Sequence, residues 1–203
     1  MECLCEYDLH SKLEKCLFHT QKIKFLGFFV TLTGISMDMA KADAVSIWPT
    51  PTNLKAVQAF LGVANFYHRF IVGFSDIITP LIYLTCKDTP FTWGPNHTKT
   101  FNMLKAAFTQ APILVHFNPD NPIVVETDAS DYSIAAIISQ ISPNNGNNHP
   151  IAFYSCSMQP VELNCEIYDK ELLAIFEAFQ QWHNYLEGSA YVVLVLSNHK
   201  NLE

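Results

Sequence analysis

The segment that most narrows the possible folds is PIVVETDAS, residues 122–130, an apolar run of β type that ends in acids. Two more β-type stretches follow, YSIAAIISQIS and HPIAFYSCSM, separated by the turn-forming NNGNN. Asn164 then stands where a helix cap belongs, Cys165 to Glu187 carry a long helical pattern, and Gly188 sits as a left-handed stop. A fourth apolar stretch, AYVVLVLSN, comes after that helix. Three strands, a helix and a strand specify a mixed sheet with the helix packed across it, in a chain of α+β class.

The first half has a different texture. KCLFHTQKIKFLGFFVTLTG, residues 15–34, places Phe18, Ile23, Phe25 and Phe29 in β-rich surroundings, which predicts a hairpin turning at His19 to Lys22 and a further turn at Gly34. After Trp48, Pro49 and Pro51 force extended backbone, and Asn53 is placed to cap a helix. Leu54, Val57, Leu61, Ala64 and His68 recur at helical spacing, widened by Phe60, Val63 and Tyr67, so a helix is expected from Leu54 to Ile71–Gly73. Gly62 weakens it by about 1 kcal/mol relative to alanine, and an internal glycine suits close approach of a backbone or ligand. Shorter helices are expected over Asp76 to Thr85 and over Thr98 to Thr109, the latter with Phe101, Leu104, Ala107 and Phe108 on one side.

With 49% of 203 residues hydrophobic and 15% charged, the chain has material for a packed core, which excludes disorder as its dominant state. No apolar run reaches the roughly 18 residues of a membrane span. Polar and acidic residues fill Met1 to His10, where a signal peptide would be apolar. A protein of the cytoplasm or nucleus, without membrane contact, is expected. Six cysteines lie scattered without a CxxC pair, as free thiols would. Cys3, Cys5, Cys16 and His19 come nearest to a zinc site, but no second ligand pair follows at finger spacing. Through residue 90, eight Lys plus Arg balance eight Asp plus Glu; from 91 onward four face eleven, so the whole net charge of −7 belongs to the second half. Nucleic-acid binders are generally basic, so this acidity argues against nucleic acid unless the acidic half works with metal ions.

Two carboxylates are anomalous for the pattern that carries them. Asp128 ends an apolar strand, an expensive place for a charge unless it is paired or binds a metal. Glu171 shares a helix face with Tyr168, Ile175, Ala178 and Trp182, which aims it at the sheet. Ser197-Asn198-His199 would lie near Asp128 if the last strand pairs beside the first. Converging carboxylates suit Mg²⁺, which prefers hard oxygen ligands and shares its waters with a phosphate. Two such ions about 3.5–4 Å apart drive phosphodiester cleavage. The ordinary alternative is a turn or N-capping aspartate at 128 and a solvated glutamate at 171, and spacing alone leaves both readings open.

The longer motifs resemble the Pol polyprotein of gypsy-type long-terminal-repeat retrotransposons, from the end of the reverse transcriptase palm into its ribonuclease H domain. KCLFHTQKIKFLGFFVTLTGISMDMAK is similar to the segment after the palm, WPTPTNLKAVQAFLGVANFYHRFI to the thumb, and FTWGPNHTKTFNMLKAAFTQAPIL to the lead into ribonuclease H. VETDASDYSIAAIISQ, NCEIYDKELLAIFEAFQQWHNYLEG and VLSNHKNLE are similar to the first half of that domain. The resemblance implies a palm remnant over residues 1–40, helical thumb or tether segments over 41–89, and an incomplete ribonuclease H-like mixed sheet with a packed helix over 90–203. It implies that Asp128 and Glu171 are two of four carboxylates that bind two Mg²⁺ ions and hydrolyse the RNA of an RNA/DNA hybrid. It also lends a hybrid-binding role to Gly62, Asn65, Tyr67, His68, Arg69 and His199, although Tyr67 also fits a core position. The partners implied are the hybrid and other Pol segments, with no small-molecule cofactor.

The departures are as specific as the matches. The family's third carboxylate lies in SDHK or TDHK, whereas LSNHK here puts Asn198 where Asp belongs. The fourth would fall beyond Glu203, and the polymerase aspartates before Met1. Cys156 and Cys165 stand where the family tends to have Arg and Tyr. Two functions are therefore expected: reverse transcription with Mg²⁺-dependent removal of the RNA template, or a non-catalytic, vestigial or hybrid-binding protein.

Overall fold

The computed structural model describes residues 12, 14, 16–87, 89–143 and 145–197. Asn198 and His199 therefore lie outside the described residues. The chain begins with an antiparallel meander of β1 (Lys22–Phe25), β2 (Phe28–Thr31) and β3 (Gly34–Met37). Its first reversal falls at Leu26-Gly27 and not at His19 to Lys22, because the two-residue turn needs positive φ, and Leu26 and Gly27 have φ of 47° and 83°. Gly34 is not a turn but the first residue of β3. Its φ is 151°, and a Cβ there would stand 2.2 Å from the Leu114 carbonyl oxygen, so only glycine allows the Ile35–Leu114 bridge.

Four helices follow. The first, α1 (Met39–Ser46), has no counterpart in the sequence reading; Asp38 caps it by accepting from the Ala40 amide at 3.1 Å. The second, α2 (Leu54–Phe66), is capped by Asn53 as expected, at 2.9 Å from the Ala56 amide. It stops at Phe66, and His68–Phe70 form a separate 3₁₀ turn, so the expected extension to Ile71 is corrected. Its packed stripe is Val57, Phe60 and Ala64, continued by Tyr67, while Leu61 and His68 are only half-buried. After it come α3 (Phe74–Tyr83) and α4 (Pro95–Thr109), the latter burying Phe101, Leu104 and Phe108.

The second half builds a sheet of β4 (Ile123–Ala129), β5 (Ser133–Ile141), β6 (Asn148–Ser157) and β7 (Leu194–Ser197) in the order β6-β5-β4-β7. β7 runs parallel to β4, and the other neighbours are antiparallel. A fifth helix, α5 (Ile167–Gln181), and the short α6 (His183–Leu186) replace the single helix expected from Cys165 to Glu187. Asn164 does not cap it: it closes a 3₁₀ turn and donates to the Pro160 carbonyl, so α5 starts after Glu166. Gly188, at φ 74°, does stop the helical stretch.

One apolar core joins Met37, Phe60, Phe70, Leu81, Phe101 and Phe108 to Phe153 of β6, with Ile137 of β5 packed against it. Each fully buried Phe of this set contributes about 1.5–3 kcal/mol. On the opposite face of the sheet, Ile123, Val125 and Ile138 pack under Ala178 and Trp182. The sheet is thus covered on both sides, by α3 and the 3₁₀ turn on one and α5 on the other, and β4 ends between them.

Candidate functional site

β4 carries its acids on one face. Side chains alternate along a strand, so Glu126 and Asp128 point opposite to Val125 and Thr127. In register, Glu126 lies between Ile137 and Leu196, and Asp128 faces Ala135. These residues open into a cavity of about 400 Å³ whose lining includes Val72, Gly73, Asp76, Glu126, Asp128 and Ser197. Asp128 is exposed, as a carboxylate that meets solvent, metal or phosphate must be.

Glu171 comes from the other side. It is 4% exposed on α5, and its Oε2 accepts from Ser197 Oγ at 3.1 Å. The aimed-inward reading of Glu171 holds: Ala178 and Trp182 of its expected face are buried with it and Ile175 is half-buried, whereas Tyr168 is exposed and Ala174 is buried in addition. The last strand does pair beside β4, with Ser197 opposite Thr127. Ser197 therefore belongs both to the cavity of Asp128 and to the hydrogen bond of Glu171.

The turn between β4 and β5 is held from both faces. Ser130 Oγ and Ser133 Oγ donate to Asp76 Oδ1 at 3.1 and 2.6 Å. From the α5 side the buried Lys170 Nζ reaches the Asp131 carbonyl at 3.5 Å. Asp76 has no sequence signal as a site residue, since its partners lie 54 and 57 positions away.

The donors gathered here are oxygens, the chemistry a Mg²⁺ ion takes. Asp128 lines the cavity from β4 and Glu171 reaches the same strand end from α5, with Ser197 common to both, so each could offer a carboxylate oxygen to such an ion. Among the described residues, no group of three or more His, Cys, Asp or Glu stands together as a ready-made metal cluster.

The residues expected to meet nucleic acid fall into two sets. Gly62 and Asn65 are exposed on α2, and Gly62 lines an apolar cleft of about 540 Å³ with Leu26, Gly27, Val63 and Phe66. A Cβ on Gly62 would meet nothing within 4 Å, so no neighbouring backbone requires that glycine. Arg69 is half-buried on the 3₁₀ turn and not on the exposed side of a helix, and His68 bonds through Nδ1 to the Asn65 carbonyl. Tyr67 is 4% exposed and donates to the Gly27 carbonyl at 3.2 Å, and burial raises its phenol pKa. It supports the meander from beneath.

Residues 93–193 match the RNase H-like domain found in reverse transcriptase. The chain carries that domain. It is also related over 93% of its length, at 34% identity, to the Transposon Tf2-3 and Tf2-4 polyproteins of Schizosaccharomyces pombe, of which it spans 14%. A foamy viral protease-reverse transcriptase in complex with RNA/DNA hybrid superposes with a TM-score of 0.76 and 27% identity, over 92% of this chain and 25% of that one. The same enzyme with double-stranded DNA gives 0.74 at 27% identity, over 89% of this chain and 37% of that one. This RNase H-like domain, with the helices before it, thus matches a stretch of retrotransposon polyprotein over nearly all of its length. Among the described residues, no helix is long and apolar enough to cross a membrane.

Proposed function

We propose that this chain serves the RNA-removing step of a retrotransposon reverse transcriptase, gripping an RNA/DNA hybrid with its helical half and presenting Asp128 and Glu171 to the RNA strand. The observation that carries the reading is Ser197: opposite Thr127 in β7 and bonded to Glu171 of α5, it draws β7, β4 and α5 to one point at the end of the Asp128 strand. Asp128 and Glu171 would hold Mg²⁺, which when bound supplies Lewis acidity and an activated water for phosphodiester hydrolysis. Ser197 orients the Glu171 carboxylate, and the cavity leaves Asp128 open to the phosphate. Glu126, two residues before Asp128, adds negative charge to the same face. The hybrid as ligand is supported by the structural likeness to an enzyme solved with one. RNA-directed DNA synthesis and assembly with other Pol segments belong to this proposal, given that the chain spans 14% of its relatives.

One observation favours the second reading, a hybrid-binding segment with little catalysis of its own. Asn198 is neutral where the resemblance implies a carboxylate, so that position brings one negative charge fewer toward the positive charge of two Mg²⁺ ions. A Mg²⁺ titration of hybrid cleavage separates the two, comparing the chain with Asp128→Asn and Asn198→Asp. Cleavage that Asp128→Asn abolishes supports the enzyme; cleavage gained only with Asn198→Asp supports the second reading; no Asp128-dependent cleavage in any variant overturns the proposed site.

A further inference from the structure

The β4–β5 turn begins one residue after β4 ends, and its geometry is set by a carboxylate from a different part of the fold. Asp76 lies in the first turn of α3, where a negative charge also suits the helix N-terminus. Its Oδ1 accepts two hydroxyl hydrogen bonds, from Ser130 at 3.1 Å and from Ser133 at 2.6 Å. Those serines also close the turn on itself: the Ser130 amide donates to the Ser133 carbonyl at 2.8 Å, and the Ser133 amide to Ser130 Oγ at 3.0 Å. A neighbouring bond, from the Ser75 amide to Ser155 Oγ of β6 at 2.9 Å, ties the same helix end to the next-but-one strand. Lys170 reaches the Asp131 carbonyl from the opposite face. Asp128 thus projects from a strand end whose outgoing turn cannot shift without breaking bonds to α3.

We propose that Asp76 is a positioning residue for Asp128: the α3 carboxylate fixes the Ser130–Ser133 turn and so holds the end of β4 in the orientation that a divalent ion requires. The metal-facing role of Asp128 is the one proposed above, and the clamp rests on that reading. Its chemistry is that of an acceptor and not of a charge. Asn keeps an oxygen at the same place, whereas Ala removes it, and a carboxylate acting only through the field in the cavity would lose its effect equally in both.

The test uses the full chain and Mn²⁺ as the probe ion, with binding followed by electron paramagnetic resonance and turn opening by amide hydrogen exchange at residues 130–133. Asp76→Ala is expected to weaken Mn²⁺ binding about tenfold and to speed exchange of the Ser133 amide, while Asp76→Asn restores most of both. Unchanged exchange in Asp76→Ala overturns the clamp whether or not the ion binds. Faster exchange with unchanged Mn²⁺ affinity overturns the positioning role, and equal weakening by Asn and Ala shows that charge was the contribution. Asp128→Asn serves as the separate control: if it leaves Mn²⁺ binding untouched, the proposed metal site fails and positioning for an ion fails with it, while the exchange data still decide whether Asp76 holds the turn.

Discussion

Ser197 Oγ donates to Glu171 Oε2 at 3.1 Å, tying edge strand β7 to helix α5 across the end of β4. A hydrogen bond to a charged group typically contributes about 1.5–3 kcal/mol. Ser197→Ala is therefore expected to lower unfolding stability by about 1–2 kcal/mol, read as a shift in urea midpoint with unchanged slope. A midpoint within error of wild type would remove this bond from the account of the site.

Arg69 and Tyr67 adjoin in sequence but call for opposite outcomes. Arg69→Ala is expected to weaken binding of an RNA/DNA hybrid and to flatten its salt dependence by about one phosphate contact. Tyr67→Phe removes only the buried bond to the Gly27 carbonyl, costing about 1 kcal/mol of stability, and leaves hybrid affinity and salt slope unchanged. Hybrid titrations at several salt concentrations distinguish them, and a Tyr67→Phe effect on the slope would place that ring at the nucleic acid.

The two best-contrasted glycines should also diverge. Gly62→Ala fills open space on an exposed helix and is expected to stabilise by about 0.5–1 kcal/mol. Gly34→Ala drives a methyl into the Leu114 carbonyl at a positive φ and is expected to cost at least about 2 kcal/mol. Thermal melts of both variants check the pair, and a hybrid affinity that falls in Gly62→Ala alone would mark its cleft as a contact surface.

Asp38 makes stability depend on acid. Lys24 Nζ lies 2.5 Å from its Oδ2, an ion pair in place of a directed hydrogen bond at that oxygen. The lysine, helped by the Ala40 amide and opposed by burial, holds the carboxyl below its ordinary value. A pKa lowered by folding adds stability at pH above the unfolded value of about 3.9. That stability is lost as pH falls through the folded pKa. Urea midpoints measured from pH 6 to pH 3 are expected to fall further for wild type than for Asp38→Asn, which keeps the helix cap but has no proton to take up. Parallel curves would show that the pair carries no linkage.

Strand identity in the second half was legible because β4, β5 and β6 are apolar runs bounded by turn residues, whereas the pairing of β7 beside β4 entered only as a condition, since a run's composition does not name its neighbour. The first hairpin was misplaced because His19 to Lys22 is polar enough to turn, whereas the reversal depends on left-handed backbone at Leu26-Gly27, which apolar flanks conceal. Helix α1 escaped notice because Ala42 and Val45 alone make its buried side. Asp128 and Glu171 stood out as acids in apolar settings. Asp76, Ser130 and Ser133 did not, since a bond spanning more than fifty residues leaves no periodic trace. The helical wheel of α5 served for Glu171, Ala178 and Trp182, which are buried, and failed at the first turn, where Tyr168 is exposed.

The core that runs from Met37 through Phe60 and Phe108 to Phe153 makes the helical half and the sheet poor candidates for exchange as separate modules. A recombination breakpoint near residue 90 would part Phe60, Phe70 and Leu81 from Phe101, Phe108 and Phe153 and leave both products with a share of this core uncovered. Calorimetry of the whole chain should accordingly give one endotherm with matching calorimetric and van't Hoff enthalpies.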